Sequence, residues 1–168
     1  AYTYSQFEVP DARRVYTTFE QPDLKSVFTL TVKVPKGWKV FSNAPTPSPE
    51  EEGDAWIYRF ETTEKMSTYI TAIVAGPYEG TTASLTSSDG RTIDLGVYAR
   101  ASIIEHLDAD EIIEITRQGF EFFEGAYGIA YPFTKYDQIF VPEYNAGAME
   151  NAGCVTFRDA YVFRTRPT

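Results

Sequence analysis

A period-two alternation runs through the first hundred residues and limits what this chain can build. Phe28, Leu30, Val32 and Val34 alternate with Thr29, Thr31 and Lys33 until Pro35-Lys36-Gly37 interrupts them. Trp56, Tyr58 and Phe60 alternate with Ile57, Arg59 and Glu61 in the same way. Successive strand side chains point to opposite faces, so each stretch predicts a strand with one buried face. The stretch Tyr69 to Ala75 is apolar at both phases and predicts a strand buried between layers. Ile93, Leu95 and Val97 predict another, after a Ser88-Asp89-Gly90 turn. Between these, residues 43–54 hold three prolines and Glu50-Glu51-Glu52, and predict a solvated loop. The 12 Tyr and 12 Phe of the chain suit such β-rich packing.

The pattern changes near residue 102. Asp108 followed by Glu111 predicts a helix N-cap with a capping box. Ile112, Ile115, Gly119, Phe123 and Tyr127 then recur at helical spacing, and Gly128 is placed to end the helix. After Tyr131-Pro132-Phe133 come an apolar strand over Gln138 to Val141, a glycine-bounded loop, and strands at Val155-Thr156-Phe157 and Tyr161-Val162-Phe163. The expected fold is mostly β. Residues 1–101 form a β-domain, and residues 102–168 open an α+β or α/β domain with one helix and about three strands.

Charge and composition exclude several functions. A formal net charge of −9 argues against general nucleic-acid binding, which needs a basic footprint. No apolar run is long enough to cross a membrane and no secretory leader opens the chain, which predicts a cytoplasmic location. The first residue is Ala1 and not Met, so the chain is expected to be processed or cut from something larger. The single Cys154 excludes an internal disulfide and, within Cys154-Val155-Thr156-Phe157, reads as a buried strand residue. The only histidine, His106, has no partner at metal-ligand spacing and reads as a surface linker residue. Neither a nucleophile elbow nor a phosphate-cradling glycine loop is present.

Carboxylates remain. Gly147 and Gly153 flank Glu150 in the run Gly147-Ala148-Met149-Glu150-Asn151, just after the apolar Ile139-Phe140-Val141. Bare backbone beside one negative charge suits the cationic end of an extended peptide. Glu8 follows Gln6-Phe7 near the start of the chain. Two carboxylates and an amide brought together would hold an α-ammonium group, whose ordinary pKa of about 7.7–8.0 leaves it largely charged at neutral pH. Two like charges crowd each other in the empty site, and a bound cation offsets the repulsion.

These blocks resemble the aminopeptidase N family of zinc metallopeptidases. Gly147-Ala148-Met149-Glu150-Asn151 matches that family's exopeptidase motif residue for residue. Ser5-Gln6-Phe7-Glu8, Asp11-Ala12-Arg13-Arg14, Pro22-Asp23-Leu24-Lys25, Glu105 to Glu111, Tyr131-Pro132-Phe133 and Lys135-Tyr136-Asp137 agree in order and spacing. The chain departs at Thr18-Phe19-Glu20-Gln21-Pro22, where the family commonly has Cys-Phe-Asp-Glu-Pro, which bears on the structure of that loop.

The resemblance implies the distal part of an N-terminal β-sandwich or saddle domain over residues 1–101. It implies the opening of a thermolysin-like α+β catalytic domain over 102–168, truncated before the zinc site. By the same resemblance, Glu8 and Glu150 bind the α-amine of a substrate, with Gln6 assisting. Gly147 and Ala148 pair with the peptide main chain, Met149 lines the first side-chain pocket, and Asn151 orients the loop or contacts substrate. The family's zinc is held by an H-E-x-x-H helix and a later glutamate, none of which occurs here. The expectation is therefore a substrate-recognition fragment of a zinc aminopeptidase with no catalytic residue or metal ligand of its own, inactive alone. Its partners are peptides with a free N-terminal amine and the remainder of the catalytic domain. The competing reading is a non-catalytic β-rich binding or scaffold homologue, distinguished by what the reading frame encodes after Thr168.

Overall fold

The computed structural model describes residues 1–165; residues 166–168, at the end of the expected second part, lie outside the described residues. The strands in chain order are β1 (Thr3–Tyr4), β2 (Thr31–Pro35), β3 (Lys39–Ser42), β4 (Glu50–Glu52), β5 (Ala55–Arg59), β6 (Ile73–Gly76), β7 (Tyr78–Thr86) and β8 (Thr92–Arg100). A helix, α1 (Ala109–Tyr127), separates these from β9 (Lys135–Val141), β10 (Ala148–Met149) and β11 (Cys154–Arg158). The class is mostly β with one α-helix among the described residues, as the alternation predicts.

The strands form three sheets, ordered β2-β5-β4, β1-β6-β3 and β10-β11-β9-β8-β7. In the first, Val34 faces Trp56 and Val32 faces Tyr58 across an antiparallel ladder. Val34, Tyr58 and Phe60 turn inward onto Val40, Ala44 and Ala75, which joins this sheet to β3 and β6. The loop expected over residues 43–54 is corrected at its end: Glu50–Glu52 form β4, paired with β5. Their side chains stay exposed and meet a cation each: Glu50 with Arg59 (3.1 Å), Glu51 with Lys36 (2.8 Å) and Glu52 with Lys33. Backbone pairing and cross-strand charge make a strand of three glutamates that no hydrophobic pattern could indicate.

The second sheet has β6 at its centre. The strand expected from Tyr69 begins only at Ile73, because Thr68–Ile70 form a 3-10 turn. The Thr71 hydroxyl donates to the Thr68 carbonyl at 2.8 Å, a local bond that competes with strand pairing.

The five-stranded sheet runs across residue 101: β7 and β8 precede it, and β9, β10 and β11 follow it. β8 pairs in parallel with β9, and α1 makes the crossover that a parallel pair requires. Asp108 caps α1 by accepting from the Glu111 amide, and Gly128, at φ +65°, ends it with its amide on the Glu124 carbonyl (2.9 Å). The helix forms as its spacing predicts, but the residues that mark the spacing are not all on its packing face. Ile113 and Glu124 are buried, and Ile112 and Phe120 lie half-buried against Ile93, Leu95 and Phe140. Ile115, Phe123 and Tyr127 are exposed. The helix is apolar on two sides, so spacing alone does not select the inner one. Buried Glu124 is satisfied by the Ser87 hydroxyl (2.6 Å) and the amides of Ser88 and Tyr131 (2.7 Å each). The strand expected at Tyr161-Val162-Phe163 does not form: Asp159–Tyr161 make a 3-10 turn, and Val162 packs inward without a ladder partner among the described residues.

Candidate functional site

The glycine-bounded loop leaves the five-stranded sheet at the end of β9 and returns as β11, with β10 as a short run on the way. Ala148 stands opposite Phe157 and Met149 opposite Thr156. β10 is the outer strand of the sheet, so its far edge carries no partner strand among the described residues.

The back of this loop is held by both of its neighbouring sheets. The chain re-enters β11 through a turn closed by the Cys154 amide on the Asn151 carbonyl (2.9 Å), with Gly153 at φ +67°. A Cβ on Gly153 would lie 2.9 Å from the Asn43 carbonyl and 3.3 Å from that of Lys135, so no side chain fits there. Buried Asn43, which follows β3, donates to the carbonyls of Ile70 and Ala152 (2.8 Å each) and accepts from the Ala72 amide (2.9 Å). The Lys135 ammonium on β9 reaches the Asp137 carboxylate and the Gly153 carbonyl, both at 2.7 Å. That ion pair is almost wholly buried, which is tolerable only because each charge has its partner.

The front of the site comes from the other end of the chain. Ser5 extends the β1–β6 pairing, its amide on the Ile73 carbonyl and its hydroxyl accepting from the Ile73 amide, both at 2.9 Å. This fixes the segment that carries Gln6 and Glu8. Tyr144, buried and edge-on to Tyr4, donates to the Gln6 carbonyl oxygen at 2.9 Å across 138 residues of sequence. The Gln6 amide nitrogen meets the Met149 sulfur at 3.4 Å. Glu8 and Glu150 are both exposed. Burial pushes the Tyr144 phenol above its ordinary range, and the charges of Glu8 and Glu150 act in the same direction. Gln6 is bonded to this phenol, and the charges of Glu8 and Glu150 are near enough to act on it.

The remaining expected residues divide by exposure. Gly147 and Ala148 lie on the open side of the loop. The Gly147 carbonyl accepts from the Arg158 amide at 2.9 Å. Met149 is fully buried with Phe41, Val74, Tyr78, Ile139 and Cys154, so its side chain points into the core and not onto the open face. Asn151 is buried too, its amide 3.5 Å from the Thr156 hydroxyl behind the loop.

Sequence reasoning missed Asn43, Lys135 and Tyr144. Lys135 and Asp137 carried a signal, two opposite charges on one face of a strand otherwise rich in apolar residues. Asn43 and Tyr144 carried none.

Cys154 is buried and its thiol is pushed up to about 12 by that burial, so it remains a protonated core residue. The His106 Nε2 lies 3.7 Å from a carboxylate oxygen of Glu105 on the surface. Among the described residues, no three of His, Cys, Asp and Glu come together as a metal-binding group. The described residues do not fit the catalytic zinc that the resemblance implies. No helix among the described residues is long and apolar enough to cross a membrane.

Comparison with known proteins adds a second line of observation. The profile of the Peptidase M1 N-terminal domain matches residues 1–70, and that of the Peptidase family M1 domain matches residues 111–166. The chain is 57% identical over 168 residues to an Aminopeptidase N of Streptomyces lividans, covering 100% of this chain and 19% of that protein. It is 35% identical over 161 residues to the Tricorn protease-interacting factor F2 of Thermoplasma acidophilum, covering 96% of this chain and 19% of that one. To the Aminopeptidase N of Homo sapiens it is 35% identical over 161 residues, covering 92% of this chain and 16% of the relative. The chain thus spans less than a fifth of the length of these relatives.

Proposed function

Since the chain belongs to the peptidase M1 family, we propose that it supplies the substrate-recognition part of a zinc aminopeptidase, the part that holds the free N-terminus of a peptide. The observation that carries this reading is the contact of Gln6 with both Tyr144 and Met149, which ties the segment carrying Glu8 to the loop carrying Glu150, next to the outer strand β10. Two exposed carboxylates beside an amide oxygen suit an ammonium group, which has three donors and no acceptor. The charge-assisted bonds of such a clamp are each worth roughly 1.5–3 kcal/mol. A peptide whose amine sits there would lay its first residues along Gly147 and Ala148, its main chain adding to β10 as a further strand. Holding one end of the chain fixes which peptide bond is presented, and misplacement by even about 1 Å carries a large rate penalty.

Within this reading the chain's residues bind and orient, and the bond is cleaved elsewhere. Zinc belongs to the same proposal, held by residues other than those described here. A cytoplasmic location is also part of it, compatible with the free and buried Cys154. The test compares cleavage of a peptide with a free amine and of its N-acetylated form by the full-length protein. The free-amine peptide is expected to be strongly preferred; equal cleavage of both contradicts the clamp. Zinc-dependent cleavage by residues 1–168 alone would contradict the division of labour.

A further inference from the structure

We propose that Tyr144 is a positioning residue for this site: its hydroxyl holds the Gln6 amide with the carbonyl oxygen directed to the bound ammonium and the NH2 directed away. The inference rests on the reading of the site as an amine clamp and adds a residue to it. The chemistry of the neighbours fixes the orientation. A thioether sulfur has no proton and can only accept, so the end of the Gln6 amide that faces Met149 at 3.4 Å is the nitrogen. The oxygen end then faces Tyr144 at 2.9 Å, and the phenol must be the donor. A carbonyl oxygen has two lone pairs. Tyr144 occupies one, which leaves the other for a cation. Were the amide to turn over, its NH2 would face the ammonium, donor against donor.

Tyr144 is built to keep this orientation. It is 4% exposed, and the ring of Tyr4 stands edge-on to it at 5.4 Å and 86°. The Tyr4 hydroxyl in turn bonds the Glu143 carbonyl at 3.1 Å, which fixes the backbone next to Tyr144. The groups that surround the phenol act to keep its proton on: burial, Glu8 and Glu150 all disfavour ionisation, although a hydroxyl bond from Thr156 opposes them. It remains a donor throughout the neutral range.

The experiment is a double-mutant cycle in the full-length protein, read with an alanyl p-nitroanilide and its N-acetylated counterpart. Tyr144→Phe keeps the ring and removes only the hydroxyl. It is expected to raise KM for the free-amine substrate about three- to tenfold, with kcat nearly unchanged, because a contact made equally in ground and transition states acts on binding. In a Gln6→Ala background the same substitution is expected to change KM less than twofold, since nothing remains to be oriented. Met149→Leu conserves volume, removes the other anchor of the amide, and is expected to act in the same direction. It also keeps the test available should Tyr144→Phe fold poorly. An unchanged KM in Tyr144→Phe overturns the inference, as does an equal loss with and without Gln6, which would mark a general packing role. If the wild type itself shows no preference for the free amine, the amine-clamp reading falls as well. A preference that is present but insensitive to Tyr144 leaves the clamp standing and removes only this inference.

Discussion

Removing the Asn43 side chain should loosen the glycine-bounded loop between β9 and β11 by an amount that its hydrogen bonds define. Asn43→Ala deletes three buried bonds at once: two donated to the carbonyls of Ile70 and Ala152, and one accepted from the Ala72 amide. Each buried group left without a partner costs about 1–3 kcal/mol. The three do not simply add, because a water entering the vacated polar space would satisfy some of them. The low end of the sum, about 3 kcal/mol, is the working figure. At 1.4 kcal/mol per tenfold, the local opening equilibrium shifts about 100-fold. Amide hydrogen exchange of the full-length protein reads this directly. The Ala72 amide should exchange about 100-fold faster in the variant, and amides of residues 151–154 should accelerate with it. Val32 and Tyr58, held by the separate β2–β5 ladder, should not change. If Ala72 exchanges within about threefold of the wild type, Asn43 does not hold the loop and the reasoning from its contacts is wrong.

Three further outcomes follow from the same geometry. Gly153→Ala puts a Cβ 2.9 Å from backbone at φ +67°, whereas Gly37→Ala meets nothing within 4 Å at φ +86°. Both lose the roughly 1–2 kcal/mol of a left-handed backbone, and only Gly153→Ala should fall well below that in a thermal melt. Burial pushes the Glu124 carboxyl up, but bonds from Ser87 and from the amides of Tyr131 and Ser88 outweigh it and hold the group below its ordinary 4.5. A depressed carboxylate stabilises the fold above its unfolded pKa, and that stability is lost as pH falls through the folded value. Wild type should therefore melt above Glu124→Gln at about pH 7, and the gap should close at about pH 3. The buried thiol of Cys154, held near 12, should resist iodoacetamide in the native protein at about pH 8 and react on denaturation; labelling of the native protein would contradict its burial.

Strands with one apolar face were legible in the sequence and strands without one were not. β2, β5 and β8 follow from Val32 and Val34, Trp56 and Tyr58, and Ile93, Leu95 and Val97. β4 has no apolar residue and exists because β5 offers it a ladder while Arg59 of β5, Lys33 of β2 and Lys36 just beyond β2 meet its glutamates, a long-range fact. The ends of α1 were legible because capping is local, from Asp108 to Glu111 and at Gly128. Its inner face was not, because Ile113 and the satisfied Glu124 face inward while Ile115 and Phe123 face solvent. In the site, Glu150 between glycines announced itself. The bond from Tyr144 to Gln6 spans 138 residues, and nothing local to either one points to the other.

β10 is only two residues long, and its brevity has a consequence for selectivity. A strand edge open to peptides is open to any extended chain, including other copies of the same protein, and long open edges invite aggregation. Two residues offer too few rungs to template another sheet, at about 1 kcal/mol net per backbone bond. The middle of a foreign chain gains little by lying there. If the site grips a free amine as proposed, a chain end held by its charge gains enough to stay, and the shortness of the edge then guards against promiscuous pairing while it still admits termini.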